Sequence, residues 1–333
     1  MFTAAQWGNV GKKVKNRRHT DPQTSSSHSS EGPRDDGDDF CSIGGIDIMS
    51  LPNDSGLPNI EGGEYFLPSN SDKEIERLQM QHYLMRCIWK ENFSSPIKED
   101  FIKGGVKVLD IQCGSGIWIT DLATEFPSST FIGVDGDEAR ARIQIELPNA
   151  VYLHHDLLDE LPFPDHWRIV KDDTFDFVNQ RFFTMASEEK WKKCILPEII
   201  RVTRPGGYIE FMEMVKWREM GKVTERVTKA YDDYMRTLGF FRSDPSKFEQ
   251  MLRSTNLVKN ITSESIITPF WGGQASQLVC RNQFEKIEAC KLNLCEFMNI
   301  SEKEFNEMIK TMREEVNNCK TFCMTYRYVE GPL

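Results

Sequence analysis

The pattern of apolar and polar positions changes character twice along this chain. Up to about residue 60 it has no period. Runs such as Ser25-Ser26-Ser27-His28-Ser29-Ser30 and Arg34-Asp35-Asp36-Gly37-Asp38-Asp39 bury too little apolar surface to offset the entropy of ordering a backbone. A disordered tail is predicted over 1–60. A helical period then begins. Ile75, Leu78, His82, Met85 and Trp89 share one face, which predicts a helix over 72–91 capped by Ser71 or Asp72. His82 therefore faces inward. It reads either as a hydrogen-bonded core histidine or as part of a lid helix that closes over a ligand.

From residue 105 short apolar runs alternate with helical ones. The first is Gly105-Val106-Lys107-Val108-Leu109-Asp110, followed by a glycine turn through Gly114 and Gly116. Further strands are predicted at Thr130–Asp135, Ala150–His154, Thr174–Val178 and Tyr208–Glu213. Helices are predicted at Ile117–Phe126, Asp137–Leu147 and Glu188–Val202, the last with Trp191, Ile195, Ile199 and Val202 on one face. Arg204-Pro205-Gly206-Gly207 reads as a turn. β-Branched runs of this length suit strands covered on both faces, and their alternation with helices implies a parallel sheet between two helical layers. The C-terminal third is mostly helical. Val227, Tyr231, Tyr234 and Leu238 form one stripe, and Phe305, Met308, Met312 and Val316 another. A sixth strand is predicted at Asn260–Pro269 and a seventh at Phe322–Val329. The fold class is thus α/β, a seven-stranded, mostly parallel sheet with a core over 105–215. A helical cover spans about 270–320, between strands six and seven.

Composition narrows the setting. The 333-residue chain has a net charge of −10, so a broadly basic nucleic-acid surface is not expected. No run of 18 apolar residues offers a membrane span, and the first residues lack the apolar core of a secretory signal. The nine cysteines contain no Cys-x-x-Cys pair, which points to a reducing, intracellular setting without a disulfide framework or zinc site. Cytoplasm, nucleus or both are expected. The basic run Lys12-Lys13-Val14-Lys15-Asn16-Arg17-Arg18 reads as a nuclear-import signal or as a solvated basic stretch. The tail is also where a protein partner could dock.

The chemistry concentrates at the strand ends. Gly114 and Gly116 allow a sharp turn and close approach of a ligand to the main chain, and the following helix aims its first N–H groups there. Asp110, Asp135, Asp156 and Asn179-Gln180-Arg181 all stand at or just after strand ends, where open α/β sheets bind ligands. Asp135 is placed to accept from both hydroxyls of a ribose, and Asp156 from an adenine amino group. A dinucleotide site competes, since Asp135 lies about 20 residues past Gly116, the usual offset of its ribose acid. However, Ile119 occupies the position of the third glycine, and acids around the turn suit a sulfonium and ammonium ligand better than a diphosphate.

Val108-Leu109-Asp110-Ile111-Gln112-Cys113-Gly114-Ser115-Gly116 resembles the first motif of the class I S-adenosylmethionine-dependent methyltransferases. Asp135 matches their ribose acid, Asp156 their adenine-side acid, and Pro205-Gly206-Gly207 their turn before strand five. Tyr65 to Pro68, the helix with Gln81-His82, and Gly116-Ile117-Trp118 are similar, more narrowly, to fungal methyltransferases related to regulators of secondary metabolism. The resemblance covers about residues 64–330 and implies a Rossmann-like fold with S-adenosyl-L-methionine as cofactor. It implies a cofactor site of Asp110, Ile111, Cys113, Gly114, Gly116, Asp135, Asp156, Leu157 and Asn179, with no metal.

The sequence departs from the family in two places. Gln112 stands where the first motif glycine belongs, and residues 166–172 lengthen the loop before strand four. The function implied is methyl transfer to an unidentified small-molecule or protein acceptor. The alternatives are a catalytically inactive binding or regulatory protein of the same fold and, at a distance, a dinucleotide-dependent oxidoreductase. His82, His155 and Glu213 are the titratable groups that could serve as a general base, and none is assigned a catalytic role. Asn179 is followed by Gln180-Arg181-Phe182 rather than Pro-Pro-Tyr, which argues against a nucleic-acid amino acceptor.

Overall fold

The computed structural model describes residues 13–14, 42–43, 46–47, 72–136, 147–154, 171–182, 188–215, 217–238, 245–258 and 260–331. The expected helix over Asp137–Leu147 and the residues His155, Asp156 and Leu157 lie outside the described residues, Leu147 excepted. So do most of the inserted loop and the tail, apart from three two-residue strands.

Those are β1 (Lys13–Val14), β2 (Ser42–Ile43) and β3 (Ile46–Asp47). Helices α1 (Asp72–Trp89) and α2 (Lys98–Lys103) follow. The alternating region contains β4 (Lys107–Ile111), α3 (Ile117–Glu125), β5 (Thr130–Asp135), β6 (Ala150–His154) and β7 (Phe175–Arg181). It continues with α4 (Glu188–Lys190), a π-helical stretch (Trp191–Ile195), α5 (Leu196–Val202) and β8 (Thr203–Met214). The C-terminal part is α6 (Lys222–Thr237), α7 (Pro245–Ser254), β9 (Thr262–Pro269), α8 (Gln274–Ala289), α9 (Lys291–Met298), α10 (Glu302–Asn318) and β10 (Phe322–Glu330).

The sheet runs β1-β9-β10-β8-β7-β4-β5-β6. The five strands β8, β7, β4, β5 and β6 are parallel, while β10 is antiparallel to both β8 and β9. This is the predicted Rossmann-like, seven-stranded sheet. The pairing of β1 with the β9 edge adds an eighth strand of two residues. The chain winds outward from β4 through β5 to β6, then returns to β7 on β4's other side. The order therefore reverses between β4 and β7, and the crevice of a doubly wound sheet opens there.

The expected helix over Glu188–Val202 is not continuous. Pro197 has no N–H for the carbonyl four residues before it, and the helix widens to a π turn just ahead of α5. Its apolar stripe survives: Trp191, Ile195, Ile199 and Val202 are all buried. The predicted turn at Arg204–Gly207 becomes a bulge at the start of β8. Phe175 pairs with Thr203 but Phe177 with Tyr208, so the four residues between are extruded.

Three apolar clusters fill the layers. One joins Leu109, Ile111 and Val178 to the π turn, α5 and α7 on one face of the sheet. Another packs Phe101, Trp118, Ile119 and Leu122 against Val108, Phe131 and Phe177 on the opposite face. The third joins α1, α6, α8, α9 and α10 over β8–β10, where Phe305, Met308, Met312 and Val316 are buried as the stripe predicts. Glu315 of α10 accepts from the N–H groups of Val223 and Thr224, at 3.1 and 2.7 Å. It thereby caps α6, whose own Gly221 has no side chain to do so.

Candidate functional site

The strand β4 delivers Asp110 to the switch point, and strand alternation sets its face. Leu109 and Ile111 point into the cluster with α5 and α7, so Asp110 points to the side of α3. Register pairs Asp110 with Gly133 on β5 and Asn179 on β7. Alternation then puts Asp135 and Arg181 on the same face as Asp110. Glu213 follows Phe211 by two on β8, and Phe211 belongs to the α5 and α7 cluster. Glu213 is therefore on the other face, where it accepts from Gln180 Nε2 at 3.3 Å.

The turn after β4 has three residues in the left-handed region: Gln112 at φ 52°, Gly114 at 58° and Gly116 at 65°. For the two glycines this conformation costs nothing in sterics. Gln112 bears a Cβ, and the same conformation costs about 1 kcal/mol. The turn is tied down by main-chain bonds from Cys113 N to Val134 O (3.1 Å) and from Gly116 N to Cys113 O (2.9 Å). Gly114 N–H donates to Asp135 Oδ2 at 2.8 Å. Helix α3 starts at Ile117 without a side-chain cap, so its first N–H groups are directed at the turn.

Of the sequence-predicted residues, Asp110, Gly114, Gly116, Asp135 and Asn179 are brought together here. Ile111 and Cys113 contribute differently from what their place in the motif suggests. Both side chains are buried in the core, on opposite faces of the sheet, so only their main chain can reach a ligand. One oxygen of Asp135 is turned back onto the glycine turn rather than left for a ribose. Asn179 acts on Asp110, donating from Nδ2 to Oδ1 at 2.7 Å.

Asp110 is 2% exposed. Burial pushes its carboxyl up to about 7, while the Arg181 charge and the Asn179 hydrogen bond pull it down and the Asp135 charge pushes it further up. A further positive charge beside such a carboxyl would favour its ionised form.

Helix α1 lies over the turn. Leu78 Cδ1 is 4.0 Å from where a Cβ on Gly114 would sit. The helix is clasped to α3 through Asp121, which accepts from His82 Nε2 (3.1 Å), Arg86 Nη1 (2.6 Å) and Asn92 Nδ2 (3.0 Å). Arg181 Nη1 lies 3.3 Å from His82 Nδ1. A guanidinium only donates, so Nδ1 accepts and the ring proton is on Nε2. Burial lowers His82 to about 4 despite Asp121. The imidazole is neutral and both its nitrogens are engaged, as in a hydrogen-bonded core histidine, and neither nitrogen is left to act as a general base.

Sequence reasoning missed Arg181, Trp118 and Asp121 as members of one assembly. The Arg181 guanidinium carbon stands 5.5 Å from the Trp118 ring centroid, a cation–π distance. The one available signal was an arginine closing a strand two residues after Asn179. Among the described residues no cluster of His, Cys, Asp or Glu is fit to hold a metal, and no helix is long and apolar enough to cross a membrane.

Residues 108–207, which run from β4 to the bulge of β8, match the family described as Methyltransferase domain. Over this stretch the chain is similar to methyltransferase domains. Among its relatives are two proteins named N-methyltransferase and one named secondary metabolism regulator. The chain is 30% identical over 172 residues to the N-methyltransferase verN of Clonostachys rogersoniana, covering 50% of this chain and 55% of that protein. It is 28% identical over 158 residues to the N-methyltransferase gliN of Aspergillus fumigatus, covering 47% and 52%. To the secondary metabolism regulator laeA of Coprinopsis cinerea it is 29% identical over 169 residues, covering 46% and 37%. The chain thus spans about half the length of the two N-methyltransferases.

Proposed function

We propose that this protein binds S-adenosyl-L-methionine at the β4–β7 switch point and transfers its methyl group to a nitrogen of a small-molecule acceptor. The observation that carries the reading is the buried Asp110 carboxylate beside a glycine turn at φ 58° and 65°. Acid and turn together offer an anion for the ammonium group and exposed main chain for the rest of the methionine moiety. Asp135 holds the turn through one oxygen. The nitrogen acceptor is supported by the two relatives named N-methyltransferase.

Held by Asp110 and the turn through Gly114 and Gly116, the cofactor would supply an activated methyl on a sulfonium, which a nitrogen lone pair would take while the carbon–sulfur electron pair stayed on sulfur. The nitrogen afterwards loses its extra proton to solvent. Such a reaction needs alignment and exclusion of water more than proton transfer. The chain's contribution is accordingly steric and electrostatic: α1 covers the turn, and the α8–α10 cover between β9 and β10 shapes the acceptor side.

Calorimetric titration with S-adenosylmethionine, S-adenosylhomocysteine and NAD tests the reading. The first two should bind at micromolar concentration and the third should not, and Asp110→Ala should abolish binding. No binding of either adenosyl ligand by the folded protein rejects the proposal in favour of a non-catalytic role. Methyl transfer from labelled cofactor to small amines, but not to protein extract, checks the acceptor class.

A further inference from the structure

A chain of polar contacts runs from Asp121 on α3 through His82 on α1 to Arg181 at the end of β7. Asp121 on α3 receives His82 Nε2–H at 3.1 Å, and His82 Nδ1 receives Arg181 Nη1–H at 3.3 Å. Arg181 lies along the Trp118 ring at 5.5 Å, and it stands on the same face of the sheet as Asp110. Every member is held by more than one neighbour. Arg86 and Asn92 fix Asp121, and His82 has a single tautomer.

We propose that Arg181 is a positioning residue for cofactor recognition: aimed by the Asp121–His82 pair, its guanidinium supplies the positive charge that keeps the Asp110 carboxylate negative and ready for the cofactor's ammonium group. The inference rests on the reading of the site given above and adds to it a residue with no place in the methyltransferase motif.

Among the described residues, Arg181 is the cation that acts on Asp110. Asn179 beside it on β7 is neutral. Asp135 on β5 is a second negative charge that pushes the Asp110 proton affinity up. Tyr152 on β6 is held in its neutral phenol form by burial, with Asp110 contributing. Asp110 and Asp135 together repel, and the Arg181 charge offsets one of them.

Arg181 itself is disfavoured by burial and supported by Asp110, Glu210 and Asp121. Its position is therefore conditional on the acids around it. Because His82 belongs to α1, the same contact makes the charge on Asp110 depend on α1 being seated.

The test is the pH dependence of S-adenosylhomocysteine binding, measured by calorimetry between about pH 6 and 8.5. The wild type should lose affinity as pH falls through about 7, because the ammonium then meets a protonated Asp110. In Arg181→Gln the loss should begin at least about one pH unit higher, giving roughly tenfold weaker binding at neutral pH and near-normal binding at the alkaline end. Arg181→Lys should restore most of the wild-type profile. A merely structural role would weaken binding equally at every pH and would not be rescued by lysine, and that result overturns the proposal.

His82→Gln keeps Arg181 but removes its aim, and should shift the profile in the same direction by a smaller amount. It decides the matter if Arg181→Gln does not fold, and an unshifted profile then overturns the proposal as well. Failure of the wild type to bind at any pH sinks the site assignment itself. Normal wild-type binding with unshifted variants sinks only the role of Arg181.

Discussion

Asn179 Nδ2 stands 2.7 Å from Asp110 Oδ1 across two adjacent parallel strands, and this bond joins the two halves of the doubly wound sheet at their point of reversal. It is one of the few interactions that favour the charged form of a carboxyl with almost no access to water. Replacing Asn179 by Ala should therefore weaken S-adenosylhomocysteine binding about tenfold at neutral pH, the worth of one hydrogen bond to a charged group. Calorimetry at two pH values checks this, since the loss should shrink as the solution is made alkaline.

The same acid opposes folding. Its carboxyl is raised from 3.8 to about 7, so the folded form binds a proton that the unfolded form has lost. Between about pH 4 and 7 the stability contribution of Asp110 falls as pH rises, and above that range the penalty stays constant. Asp110→Asn should raise the melting temperature at pH 8 and leave it nearly unchanged at pH 4, while cofactor binding disappears. A variant that melts lower at pH 8 contradicts this.

Gln112 is held at φ 52°, a conformation that glycine enters freely. Gln112→Gly trades relief of about 1 kcal/mol of backbone strain against the greater entropy of glycine in the unfolded chain, so stability should change by less than about 1 kcal/mol. Cofactor affinity should rise, because a half-buried side chain leaves the turn. Melting curves and titration read the two effects separately.

His82 is lowered from 6.5 to about 4. The unfolded chain takes up a proton near pH 6.5 that the folded chain refuses until about 4. The stability that depends on neutral His82 is complete above pH 6.5 and is lost as pH falls toward 4. Denaturant melts across that range should show a slope in the wild type that is reduced in His82→Gln. An unchanged slope would place the acid sensitivity in another group.

Gly133 sits under the glycine turn on β5. A Cβ there would lie 2.7 Å from Ile119 Cδ1 and 2.8 Å from Cys113 Sγ. Gly133→Ala should cost about 1–3 kcal/mol of stability by overpacking, and it should also weaken cofactor binding by lifting Cys113 in the turn. Loss of stability without loss of binding would show that α3 yields instead of the turn.

The element order was legible because buried strands and amphipathic helices carry their periods in short windows. The runs around Val108, Ile132 and Val178 lie inside the strands they predicted, and the Phe305–Val316 stripe faces the core. The site was legible as far as its motif is local: Asp110, the two glycines and Asp135 are fixed by strand ends and turn chemistry. What Ile111, Cys113 and Asn179 do was not, since a motif gives positions along a strand, whereas the face of the sheet decides which atoms reach a ligand. The π turn before Pro197 escaped because a proline's effect on the preceding helix depends on what packs against it.

The sequence by itself determined a doubly wound α/β sheet, a glycine turn at the end of its central strand, and acids at two neighbouring strand ends. Local propensity, periodicity and covalent geometry suffice for these. The tertiary structure decided the charge state of the site. Asp121, His82, Arg181 and Asp110 come from four separate stretches of chain, and their proton affinities follow from burial and from distances of about 3 Å that no local pattern encodes. Whether His82 is a base or a strut, and whether Asp110 meets a ligand as an acid or an anion, depends on how α1 settles over the sheet.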